Sequence, residues 1–328
     1  MAGSWIPARG SVALPRWQLR AAGARVSGSL AIESLPGDPR IDLGFGVERL
    51  DFARLLGTSG LEEPDAALGG DLGSAALQAR ITGRILDPAS FAVSQHLDFR
   101  PPSRNLPSID RLRGSFVHEV AGPKGERRAI LVSAEAPDFV ALSEVPPLFV
   151  RTLLIGEDAG FFSHGGFDLS EVPAAVVANW TRGGAARGAS TITQQLAKNL
   201  FLSRDKRMGR KLQELCLALL LEARLSKSRL LEIYLNVIEW GPDVYGLRPA
   251  ARYYFGCEPK DLTPRQMAFL VALIPGPILY QASFASGTLS PGFRPLVDNL
   301  LAKLRSVDAL GEEEYQSALA EDLAFAPR

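Results

Sequence analysis

The sequence predicts an α+β, multidomain protein: a β-rich antiparallel domain over 1–140, a mostly α-helical domain over 141–290, and a helical extension over 291–328 that packs on it. Three observations carry this. Apolar residues alternate with period two in the first part. They recur at helical spacing in the second. The strands come first and the helices follow, an order that points to separate domains and not to an interleaved α/β fold. At 328 residues there is room for two domains of ordinary size.

In chain order, RVSGSLAIES (25–34) puts Val26, Leu30 and Ile32 on one side of a strand, and FAVSQHLDF (91–99) does the same with Phe91, Val93, Leu97 and Phe99. RRAILVSA (127–134) is a short apolar run. Turn-forming stretches punctuate them: LPGDP (35–39), LEEPDAALGGDLG (61–73) and RPPSRNLP (100–107). One antiparallel sheet over about 24–135 is expected, with no catalytic constellation in it. His96 and His118 fall on strands as exposed or hydrogen-bonded structural residues.

From about 146 the pattern turns helical. Asp168 with Glu171 reads as a capping box opening DLSEVPAAVVANW. RKLQELCLALLLEARL (210–225) lacks Gly and Pro and is rich in Leu and Ala. SKSRLLEIYLNVIEW (226–240) is a further helix, stopped by Gly241-Pro242. Thr263-Pro264-Arg265-Gln266 combines a capping box with proline at the first helical position and starts QMAFLVALI. One or two surface helices follow from about 292.

A formal net charge of zero argues against wholesale nucleic-acid binding. Cys216 and Cys257 belong to no CxxC or Cys/His cluster, so a structural zinc is not expected, and Cys216 reads as a small core residue. No stretch is long and apolar enough to span a bilayer, and the opening MAGSWIPARGSVALPRW lacks the charged-then-apolar order of a signal peptide.

Three stretches carry chemistry. EDAGFFSHGGFD (157–168) sets Glu157 and Asp158 before two aromatics. Desolvation beside apolar rings raises a carboxyl pKa and suits a general acid or base, although an acidic pair equally suits a helix end. GASTITQQLAKNLFL (188–202) opens a helix whose N–H groups can face an anion, with Ser190, Thr191, Gln194, Gln195 and Lys198 as polar candidates. The third is a basic run holding Arg204, Lys206, Arg207, Arg210 and Lys211. Arg210 and Lys211 lie four and three residues before Glu214, so all three share a helix face. Two cations around one carboxylate can hold a pyrophosphate, with or without a metal, or form an ordinary helix salt bridge.

In residues and order, these stretches together with KSRLLEIYLNVIEWGPDVYGLRPAARYYFG and LTPRQMAFLVALIPGP resemble the peptidoglycan glycosyltransferases (family fifty-one glycosyltransferases), most closely the monofunctional biosynthetic transglycosylases. The resemblance covers roughly 145–285. It implies a mostly helical, lysozyme-like domain that polymerises lipid II at the periplasmic face of the bacterial inner membrane. The acceptor 4-hydroxyl attacks the anomeric carbon of the lipid-linked chain, undecaprenyl pyrophosphate leaves, and configuration inverts. It makes Glu157 the general base and Glu214 the second essential carboxylate. It assigns Lys198, Arg210 and Lys211 to the diphosphate, and Asp158, Ser190, Thr191, Gln194, Gln195, Lys206 and Asn236 to substrate binding. Mg²⁺ or Mn²⁺ at the diphosphate is compatible with it and no organic cofactor is required. Expected partners are lipid II and the growing strand, the membrane surface, and a transpeptidase or other envelope protein.

The sequence departs from the family at Ala174-Ala175, where many members carry arginine, and at Gly276, where asparagine is usual; Pro275-Gly276-Pro277 is expected to keep the turn. No transpeptidase domain is expected in the stretch that follows the helical domain, which is too short to hold one, and the N-terminal membrane helix of the family is not seen in these residues. Residues 1–140 loosely resemble the β-rich, lipid-facing segments of AsmA-like envelope proteins. The alternative function is a non-catalytic envelope scaffold that binds lipid II or glycan. Retention of both Glu157 and Glu214 speaks against it.

Overall fold

The computed structural model describes residues 2–6, 10–21, 24–35, 37–54, 71–121, 126–169, 190–202 and 210–327. The chain divides into two compact units. One comprises Met1–Asp110, Gly165–Ser190 and Phe201–Ala223; the other comprises Arg111–His164, Thr191–Leu200 and Arg224–Arg328.

The first unit holds a six-stranded antiparallel meander: β1 (Ala2–Ile6), β2 (Ser11–Ala21), β3 (Ala24–Glu33), β4 (Arg40–Asp51), β5 (Ser74–Arg84) and β6 (Asp87–Arg100), in that spatial order. Period-two alternation gives the sheet two unlike faces. Leu14, Leu30, Leu43, Ile81 and Val93 stand in register on one face. Gln18, Ser27, Gly46, Gln78 and His96 stand in register on the other. Gly28 lies beneath the Trp17 ring, where a Cβ would come within 2.5 Å of it, so glycine is required. Phe52 stacks on Phe99 at 5.5 Å, and helix α1 (Pro107–Asp110) buries Ile109. Helices α2 (Pro147–Glu157) and α3 (Ile192–Phe201) precede α4 (Arg210–Arg224), which buries Cys216 to Leu221. Burial raises the Cys216 thiol to about 12, so it is a core residue and no nucleophile.

Two expectations are corrected here. The sheet begins at Ala2, not near residue 24. Its last expected strands, β7 (Phe116–Ala121) and β8 (Arg127–Val132), form a separate two-stranded sheet in the second unit. Pro101-Pro102 and the helical turns over 107–113 interrupt the ladder, since proline has no N–H to donate to it.

The second unit is mostly helical and carries β7–β8 as a hairpin with an exposed side. Besides α2 and α3 it holds α5 (Lys227–Val237), the ribbon β9 (Glu239–Gly241) and β10 (Val244–Tyr245), α6 (Leu247–Phe255), α7 (Pro264–Leu273), α8 (Arg294–Ser306) and α9 (Glu312–Ala320). α5 starts at a Ser226 cap and stops at Val237, three residues before the expected end, because Glu239–Gly241 leaves the helix to pair with β10. α7 has the expected capping box: Thr263 accepts from the Gln266 amide, and the Gln266 side chain returns to the Thr263 amide. Phe269 packs among Tyr254, Phe284, Phe293 and Phe325. Arg265, 1% exposed, donates to the Ala318 and Leu319 carbonyls of α9 and pairs with Asp298 of α8 at 3.1 Å. α8 and α9 are thereby tied to α7 by a buried cation, and α8 buries Val297, Leu300, Leu301 and Leu304. Gly276 keeps the turn: its amide bonds Leu273 and its carbonyl accepts from Tyr280.

Candidate active site

In the second unit, Glu157 is the last residue of α2. Gly156 before it leaves room for the neighbouring helices; a Cβ there would lie 2.6 Å from Val271 and 3.3 Å from Leu300. The helix therefore sits close against α7 and α8 and ends at a fixed place. Gln195 Nε2 donates to Glu157 Oε2 at 2.7 Å, and Gln195 Oε1 accepts from the Tyr234 hydroxyl at 2.9 Å. Tyr234 is fully buried. The tyrosine fixes which way the amide points, and the amide fixes the carboxylate. Desolvation pushes the Glu157 pKa up; the Gln195 bond opposes it, Asp158 adds to it, and Lys198 and Lys303 oppose it. Desolvation also pushes Tyr234 well above its ordinary value, so its hydroxyl stays a donor.

Asp158 makes its bonds outside this relay. Its Oδ1 lies 2.8 Å from His164 Nε2, and its Oδ2 accepts from the Ile192 amide at 2.9 Å. Phe161, fully buried, meets the His164 ring edge-on, and Lys227 lies 4.3 Å from the Phe161 ring centroid. Asp158 thus ties the loop after α2 to the start of α3. Thr191 caps that helix by accepting from the Gln194 amide at 3.2 Å. Two amides of this helix start, those of Ile192 and Gln194, are therefore bonded within the protein. Thr193 and Gln194 are buried with Ile192, Leu196 and Ala197, while Lys198 is exposed. Asn236 is buried and donates to the Val140 and Glu232 carbonyls while accepting from the Val140 amide. Its amide works as a clamp on the chain before α2.

The first unit contains the other group. Glu214 on α4 is 6% exposed. Arg210 Nε lies 3.2 Å from its Oε1, and Lys211 Nζ lies 2.9 Å from its Oε2. Lys211 also donates to Ser190 Oγ at 2.6 Å. Two cations around one carboxylate leave this cluster net positive, with Glu214 fixing the directions of both. Among the described residues no three His, Cys, Asp or Glu side chains converge as a metal cage. Lys206, Ala175 and the helix expected to follow Asp168 lie outside the described residues.

Glu157, Asp158, Thr191, Gln194, Gln195, Lys198 and Asn236 thus belong to one unit, and Ser190, Arg210, Lys211 and Glu214 to the other. Tyr234, His164 and Gly156 are contributors that sequence reasoning did not single out. The YLN run of α5 and the SHGG turn were in view, but their partners 39 and 6 residues away were not.

An oriented carboxylate with a raised pKa, and a separate cationic cluster around a second carboxylate, are groups suited to transfer to or from an anionic substrate. Residues 125–290 match the Transglycosylase family. A biosynthetic peptidoglycan transglycosylase from Nitrosospira multiformis is 42% identical over 162 residues, covering 49% of this chain and 70% of that protein. One from Nitrosomonas eutropha is 47% identical over 150 residues, covering 46% and 62%. Penicillin-binding protein 1B from Escherichia coli is 37% identical over 222 residues, 66% of this chain but 25% of that one. The chain belongs to the transglycosylase family, the peptidoglycan glycosyltransferases of cell-wall synthesis.

Proposed function

We propose that the chain polymerises lipid II into glycan strands by an inverting displacement. Glu157 takes the proton of the acceptor 4-hydroxyl as its oxygen bonds the anomeric carbon of the donor. The bond from that carbon to the diphosphate breaks, and the electron pair leaves with undecaprenyl pyrophosphate. Arg210 and Lys211, held by Glu214, together with Lys198, neutralise the departing charge. No covalent enzyme intermediate is needed. The observation that carries this reading is the Tyr234–Gln195–Glu157 relay, which holds a carboxylate of raised pKa in one orientation. A carboxylate with that property is a stronger base toward the hydroxyl proton than one in open water.

The helical part, 141–290, is read as the catalytic domain with a lysozyme-like arrangement. Its place is the periplasmic face of the inner membrane, beside a transpeptidase or other envelope partner. No helix among the described residues is long and apolar enough to cross a membrane. The donor set around Glu214 is not a metal cage, so Mg²⁺ or Mn²⁺ would enter bound to the diphosphate. Polymerisation of labelled lipid II in detergent, with metal or chelator, is the test. Long strands from the wild type and none from Glu157→Gln are expected. Undiminished product from the variant overturns the assignment of the base.

A further inference from the structure

The polar face of the six-stranded sheet holds a groove of about 890 Å³ that the chemistry above does not use. Its floor is the central strand β4, at Gly44 and Gly46. Glycine weakens a strand interior and is normally explained by a bulge, a left-handed backbone, or close approach of another group. Gly28 and Gly83 have such explanations in the Trp17 and Phe91 rings. Gly44 and Gly46 do not. Neither has positive φ, and their pairing with β3 and β5 is regular. A Cβ at Gly46 would meet nothing nearer than the Leu77 carbonyl at 3.6 Å, and one at Gly44 only Ser29 Oγ at 3.4 Å. Both positions would accept a side chain, so the bare backbone leaves the groove floor open.

The walls are polar and ordered. Gln18, Ser27, Gln78 and His96 form a row across β2, β3, β5 and β6, with Gly46 in its middle. Arg80 is held beside it by a two-point bond to Asp42, at 2.9 and 2.6 Å. Such a row offers amides, a hydroxyl and an imidazole at the strand spacing of about 4.8 Å. An extended chain of β-linked hexopyranoses advances by about one such step per sugar and presents hydroxyls and N-acetyl amides at that repeat. We propose that this groove binds a linear, N-acetylated β-linked glycan, and that its occupant is the strand the enzyme makes. The choice of strand rests on the polymerase reading; the groove itself does not.

The test uses the full chain and dye-labelled glycan strands stripped of their peptides, with affinity read by fluorescence anisotropy. Gly46→Thr fills the floor with a residue suited to strands, and Gln78→Ala removes one rung of the row. At least tenfold weaker strand binding by each is expected. Melting temperature should be equal or higher in Gly46→Thr, and the initial rate of lipid II polymerisation should be unchanged in both. Polymerisation by a wild type that binds no strands overturns this proposal and leaves the polymerase reading standing, as do two variants of wild-type affinity. Variant-sensitive strand binding by a chain that does not polymerise lipid II has the opposite meaning: the groove stands and the polymerase reading falls.

Discussion

Glu157 and Glu214 are the same residue in opposite surroundings. Glu157 sits at the C-terminal, electronegative end of a helix, with a neutral amide on one oxygen and a raised pKa. Glu214 sits at the cationic start of another helix, with a guanidinium and an ammonium on its two oxygens. Surroundings that disfavour charge suit a group that must accept a proton. Surroundings that saturate charge suit a group that must hold other residues still. In the proposed mechanism the pair separates a reacting carboxylate from a positioning one, and substitutions can break that separation.

The largest effect is expected at Glu157. Glu157→Gln keeps the shape and removes the base, so polymerisation should fall by about 10³-fold. Its melting temperature should stay level or rise, because a desolvated charge is gone. Glu214→Gln should cost less, about 10²-fold in kcat, by loosening Arg210 and Lys211 where leaving-group charge develops. If Glu214 were only a counter-ion, the added positive charge would tighten diphosphate binding without loss of rate. Initial rates over a range of lipid II concentration decide between these.

Two smaller effects concern the frame. Burial, and then Arg111, lowers His118 to about 4 from an ordinary 6.5. The unfolded chain binds the extra proton between those values, so stability rises with pH across that window. It should decline by about 3 kcal/mol as pH falls from 6.5 to 4. Urea melts of the wild type and His118→Gln should differ in this slope and converge above pH 7. Gly156→Ala presses a methyl into Val271 and should destabilise by about 1–3 kcal/mol, read by thermal denaturation.

How much was visible in the sequence follows from which signals are local. The α7 capping box, the α4 helix and the Arg210/Lys211/Glu214 face lie within a few residues and were read correctly. Two strands of the meander, over 25–34 and 91–99, were legible from alternation, but β1, β2 and the break that separates β7–β8 from the sheet were not. The premature end of α5 depends on cross-strand pairing that helix propensity does not encode. The largest gap was Tyr234, which no local signal singled out. Its role depends on Gln195, 39 residues away. Asp158 and Asn236 carry the same lesson: their placement as ties between segments is tertiary information.

The central claim is that Gln195, fixed by Tyr234, tunes and aims Glu157. The most direct test is the pH dependence of the polymerisation rate in the wild type and Tyr234→Phe. Without the hydroxyl the amide is released, and Glu157 loses a donor that lowers its pKa. The acid limb of Tyr234→Phe should then move to higher pH, with an optimum rate about tenfold lower. An acid limb unmoved at a reduced rate would make Tyr234 a packing residue only and contradict the relay.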